Sequence, residues 1–138
     1  MINEIIIGNS TNELSAAIEE EIKQHEQIQI KIEQYVYEGV YTRTSYLPAG
    51  SLVVGVTIKI PTTMIVSGNM NITIGDGFKN VQGYGTIHAE KNRKTTVAAI
   101  EDSVVTMVFK TDATTVEEAE KEFTDGWRDL QTYQRRLT

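Results

Sequence analysis

Between Ile28 and Phe109 the chain alternates apolar and polar residues in short runs that break at glycines. Strict alternation sends successive side chains to opposite faces of an extended chain, so each run predicts a strand with one buried face. The runs occupy residues 28–37, 40–47, 51–60, 64–66, 71–74, 78–81, 86–88, 95–100 and 104–110. Turn formers separate them. Pro48-Ala49-Gly50, Ser67-Gly68-Asn69 and Gly75-Asp76-Gly77 read as turns, and Gly83 with Gly85 permits another sharp bend. Many short strands at this spacing predict a closed antiparallel β barrel or sandwich.

Helical periodicity flanks the strands. Ser10-Thr11-Asn12-Glu13 reads as a capping box that opens a helix with Leu14, Ala17, Ile18 and Ile22 on its apolar face. This helix ends near His25, where the period drops from about four to two. Before it, Ile5, Ile6 and Ile7 predict an edge strand or an arm onto a neighbour. Thr115 to Glu118 is a second capping box. It starts an amphipathic helix over residues 114–137, with Val116, Ala119, Phe123, Trp127, Leu130 and Leu137 on one side. Acids at its start and Arg128, Arg135 and Arg136 near its end suit the helix dipole. Gly126 costs roughly 1 kcal/mol relative to alanine and predicts a kink.

Composition then limits the chemistry. The 138 residues make a single domain: an N-terminal arm and helix at 1–27, a barrel at 28–110 and a helix at 114–137. A net charge of −6 argues against a general nucleic-acid binder, which needs a basic face, and leaves room for a local basic patch. No cysteine is present, so thiolate chemistry is absent. No apolar run reaches the ~20 residues of a membrane span, and residues 1–9 lack the pattern of a signal peptide. The expected setting is a cytoplasm. Two histidines, His25 and His88, cannot supply three nitrogen ligands to a metal. Asp76 between glycines lacks the ligand spacing of a calcium loop, and Gly83-Tyr84-Gly85 lacks the lysine and helix of a phosphate loop.

Three segments resemble the small cupin-like proteins common in bacteriophage genomes: GVYTRTSYLPAGSLVVG, SGNMNITIGDG and EDSVVTMVFKTDATTVEEAE. The resemblance covers the block from Gly39 to Lys110 and implies a mainly β, cupin-like antiparallel barrel or jelly roll, with the N-terminal and C-terminal helices as additions. In metal-binding cupins, a His-x-His pair and a glutamate lie between two glycines. Here Gly55 and Gly75 match the ends, Pro61-Thr62-Thr63 stands at the histidine pair, and Ser67 falls near the glutamate. A second motif would start at Gly83, with Ala89-Glu90-Lys91 in place of its proline turn and Lys94 near its histidine. The expectation is a barrel without metal or cofactor.

In the cupin register Lys59, Thr62, Thr63, His88, Lys91, Arg93 and Lys94 lie near the barrel mouth. With Tyr84 and Tyr46 they form a candidate site for an anion, a nucleotide or a sugar, against the plainer reading of a solvated basic loop. Ile28, Ile30, Ile32, Tyr35 and Tyr37 offer more apolar strand surface than one face requires, and with Trp127 they form a candidate subunit interface. Cupin-like domains are often dimers, so a homo-oligomer is expected.

These features support a non-enzymatic phage-type accessory or structural protein, acting through contacts with a host or virion protein. Its place would be the host cytoplasm or the virion. One alternative is a binding protein that sequesters a small anionic ligand. Another is a metal-independent isomerase or epimerase using His88 and Tyr84.

Overall fold

The computed structural model describes residues 5–137. Among these residues eight strands and three α-helices follow one another. Strand β1 (Ile5–Ile7) and helix α1 (Asn12–Ile22) precede β2 (Lys31–Tyr37), β3 (Val40–Leu47) and β4 (Leu52–Val54). The long strands β5 (Thr62–Ile74) and β6 (Gly77–Ala89) come next, then β7 (Thr96–Ala99) and β8 (Ser103–Lys110). Helices α2 (Val116–Phe123) and α3 (Gln131–Arg136) close the chain, with a 3-10 turn at Trp127–Asp129 between them.

The hydrogen-bonded path is a single open mixed sheet in the order β1-β6-β5-β8-β3-β2. The β5–β6 hairpin is its spine, and it turns at Gly75-Asp76 as the aspartate-glycine signal predicts. The first half of β5 pairs with β8 (Thr63 to Ser67), and its second half pairs with β7 (Met70 to Ile72), which in turn carries β4. The hairpin thus belongs to two layers. The change of direction falls at the cross-strand pair Gly68 and Gly83, both with positive φ. A Cβ on Gly68 would stand 2.8 Å from Ser103 Cα, so only glycine lets β8 approach there. Between the layers lies a core that includes Ile7, Leu47, Met64, Val66, Met70, Ile72 and Val97.

Several local expectations change. Ser67-Gly68-Asn69 is a bend inside a continuous strand, not a turn. Likewise β6 runs unbroken through Gly83 and Gly85. Residues 51–60 supply only three strand residues, because the chain leaves the ladder at Gly55 and returns in one bridge between Ile58 and Arg93. Strand β1 pairs in parallel with this chain's own β6, so it is an internal edge strand; residues 1–4 of the expected arm lie outside the described residues.

Helix α1 starts at the N-cap Thr11 without a side-chain cap. Ser10 Oγ instead donates to the Gly75 carbonyl, which ties the helix to the hairpin tip. The buried side of α1 carries Thr11 and Ser15, whereas Leu14 is exposed. Ser15 Oγ accepts from Thr96 Oγ1 at 2.8 Å, a partner that a helical period cannot reveal.

The C-terminal helix divides. Thr115 caps α2 through the Glu118 amide as expected. The helix ends at Phe123 because Thr124 is extended and its hydroxyl donates to the Thr57 carbonyl at 2.7 Å. Phe123 packs on Tyr41 and Phe109, with ring centroids 5.6 and 6.1 Å away.

Candidate functional site

Alternation along β3 points Tyr41, Arg43, Ser45 and Leu47 inward, and along β8 it points Val105, Met107 and Phe109 to the same side. Together with Met64 of β5, Ile32 of β2 and Phe123, residues of these faces line a cleft of about 1460 Å³. Its walls are mostly apolar. Three arginines are among the residues that line it: Arg43 and Arg93 from the interior and Arg135 from α3.

Arg43 has a carboxylate beside it. Its Nη1 lies 3.7 Å from Glu120 Oε2 and donates to Thr132 Oγ1 at 3.1 Å and to Gln34 Oε1 at 3.3 Å. Glu120 is 1% exposed. Gln34 Nε2 donates to it at 3.0 Å, and Thr132 and Arg136 donate to it as well. Burial pushes the Glu120 carboxyl up, but these hydrogen bonds outweigh it and hold the group below the usual carboxylate range. The Tyr41 hydroxyl, raised by burial, donates to Gln34 Oε1 at 2.7 Å. This network joins the C-terminal helices to β2 and β3.

Arg93 is different. It is 2% exposed, and its partners are all neutral. Nη1 donates to the carbonyls of Ile60 (3.2 Å) and Glu90 (3.0 Å). Nη2 donates to Thr62 Oγ1 at 2.6 Å and touches Met107 Sδ at 3.8 Å. None of the ion pairs among the described residues includes it. Burial lowers its pKa to about 10. Met107 is also the cross-strand partner of Arg43, so both cations border one stretch of wall.

The structure splits the mouth cluster expected from the sequence. Arg93 and Thr62 are buried together inside. Lys59 sits on the cleft rim, paired with Asp125 at 2.7 Å, and Lys94 pairs there with Glu19 at 3.1 Å. Thr63 and His88 are cross-strand partners pointing outward, and with Lys91 they line a separate shallow depression. Tyr84 is 72% exposed on β6, and Tyr46 on the outer face lies under the Lys31 ammonium. The structure therefore does not bring His88 together with the cleft.

Of the candidate interface residues, Ile30 is buried and Ile32 half-buried in the core between the layers. Ile28, Tyr35 and Tyr37 are exposed. Trp127 packs edge-on against Tyr133 at 5.0 Å, with the Arg128 guanidinium over its ring. Sequence reasoning missed Arg43, Glu120 and Thr95. On β3 both faces carry Thr, Tyr or aliphatic residues, so alternation does not tell which side Arg43 takes. Glu120 looks like one of several surface acids in its helix.

No protein-family model and no curated protein sequence matches the chain. Solved structures do. A cupin superfamily protein of Desulfitobacterium hafniense superposes with a TM-score of 0.50 at 13% identity, over 64% of this chain and 83% of that one. KdgF from a Halomonas species gives 0.51 at 12% identity, over 67% and 91%. Salicylate 1,2-dioxygenase of Pseudoaminobacter salicylatoxidans, an enzyme studied with gentisate, gives 0.55 at 9% identity, over 82% of this chain but only 34% of that one. At these identities the similarity establishes a cupin-like jelly-roll fold.

Many cupins hold a metal, and the residues here do not fit one. The inward side chains at the histidine-pair region are Thr62 and Met64, with Thr63 outward, one residue out of step with the Pro61 and Thr63 positions given by glycine spacing. Among the described residues no group of three or more His, Asp or Glu stands where it could hold an ion. No helix among them is long and apolar enough to cross a membrane.

Proposed function

We propose that this cupin-like chain is a metal-free binding protein, not an enzyme, and that its interior cleft takes a small organic anion. The carrying observation is a mostly apolar cleft of about 1460 Å³ with three arginines in its lining, of which Arg93 is buried with only neutral partners. Concave apolar surface with a few fixed polar groups is the usual form of a small-ligand site. His88 lies on the outer face, and His25, just beyond α1, borders the cleft with an exposed side chain beside Glu21, so no buried histidine faces the interior, which favours binding over acid–base chemistry. A thermal-shift screen of organic anions tests this. A ligand at 100 times its dissociation constant adds about 2.7 kcal/mol, and a screen without any stabilised member contradicts the reading.

A second reading uses the outside of the sheet. Among the described residues no helix covers the outer face of β2 and β3, where Tyr35 and Tyr37 are 60% and 75% exposed beside the open edge of β2. Such a face suits contact with another copy of this chain. It would equally serve a phage-type accessory protein in the host cytoplasm or on a virion, as the sequence resemblance implies. The oligomeric state in solution tests it.

A further inference from the structure

We infer that the anion taken by the cleft is a monocarboxylic acid with an apolar body, its carboxylate held by Arg93 and Thr95. The inference rests on the binding reading above and adds the ligand's class and the place of its head group. It follows from a charge count. Glu120 lies 3.7 Å from Arg43 and pairs with Arg136 as well, and Arg135 is only half-buried, whereas Arg93 is 2% exposed and has neutral partners alone. In a dry setting one cation offsets one anion, and a second negative charge would be buried uncompensated at high cost. A carboxylate satisfies that count. A phosphomonoester dianion or a nucleotide exceeds it.

A second observation falls in the same place. Thr95 lines the cleft, and its Oγ1 is a buried side-chain oxygen with no hydrogen-bond partner among the described residues. Buried hydroxyls are ordinarily satisfied. Arg93 and Thr95 are two residues apart in a stretch that runs beside residues 55–58, with the Gly55 amide bonded to the Thr95 carbonyl and the Ile58 amide to that of Arg93. Extended chain turns residues two apart to one side. Met64, Val105, Met107 and Phe123 offer apolar surface for a ligand body, and at the rim Lys59 is paired with Asp125 and Lys94 with Glu19.

The test is calorimetric titration of the whole chain with probes sharing one skeleton: hexanoate, hexanol and hexyl phosphate, with benzoate and AMP as further members. The expected order places the two carboxylates at least about tenfold tighter than the alcohol or either phosphate, a gap of about 1.4 kcal/mol. Arg93→Met should abolish the carboxylate preference, and Thr95→Val should weaken hexanoate severalfold while leaving hexanol unchanged. If Arg93→Met fails to fold, since it also loses the ties to Ile60 and Glu90, the wild-type series and Thr95→Val decide. Hexyl phosphate or hexanol binding as tightly as hexanoate overturns the inference and leaves the binding reading intact. So does a foldable Arg93→Met variant that retains hexanoate. Failure of every probe class counts against the binding reading itself.

Discussion

Glu120 shows what one buried charge does in this molecule. It is 1% exposed and collects donors from Gln34, Thr132 and Arg136, with Arg43 at 3.7 Å. Removing one member of a buried pair strands the other, at a cost of about 3 kcal/mol or more. Glu120→Gln should therefore destabilise the chain by about that amount in chemical denaturation near neutral pH. The folded state holds Glu120 below its ordinary value of 4.5, so the unfolded state binds the proton more readily. The stabilisation is complete above 4.5 and is lost as pH falls through the depressed folded value. The wild type should lose stability in that acidic window, and Glu120→Gln should show a flatter profile there; equal slopes would contradict this account. Nothing in the local sequence singles out Glu120 from Glu117, Glu118 and Glu122, because the distinction lies in Gln34 and Arg43, far away in the chain.

At the scale of elements, the C-terminal segment depends on docking. Helices of eight and six residues are too short to persist alone in water. They are held by Phe123 against Tyr41 and Phe109, and by Gln131 Oε1 accepting from the Ile30 amide at 3.1 Å. Phe123→Ala should cost about 3–5 kcal/mol. Amide exchange should accelerate in α2 and α3 together, ahead of the β5–β6 hairpin. Exchange that speeds up in α2 alone would mean that the two helices are held independently. The capping box at Thr115 was legible because its partners are three residues apart. The break at Thr124 was not, because its partner is the Thr57 carbonyl. Gly68 illustrates the same limit. Flanked by serine and asparagine it reads as a turn, and only the approach of Ser103 makes it a mid-strand bend.

Across the whole molecule, periodicity reveals the strands and the flanking helices, and the resemblance of three segments to cupin-like proteins implies the plan that the solved structures share. Alternation does not say which face of β3 or β5 turns inward when both faces are apolar or threonine-rich. That is why Arg93, Thr63 and His88 read as one cluster but occupy two sides of a sheet. The outer side bears on association. If Tyr35 and Tyr37 form a contact between copies, light scattering should show a dimer that Tyr35→Lys with Tyr37→Lys converts to a monomer of unchanged thermal stability. A wild-type monomer at high concentration would remove that contact.

The central claim is that the interior cleft binds a small organic anion, and its methionines can report this directly. Met64 and Met107 line the cleft, while Met70 is fully buried in the core outside it. Methyl NMR of the labelled protein, titrated with hexanoate, should move the Met64 and Met107 signals in a saturable way and leave Met70 in place. Unmoved signals of Met64 and Met107 at saturating concentrations of every anion tried would contradict the account.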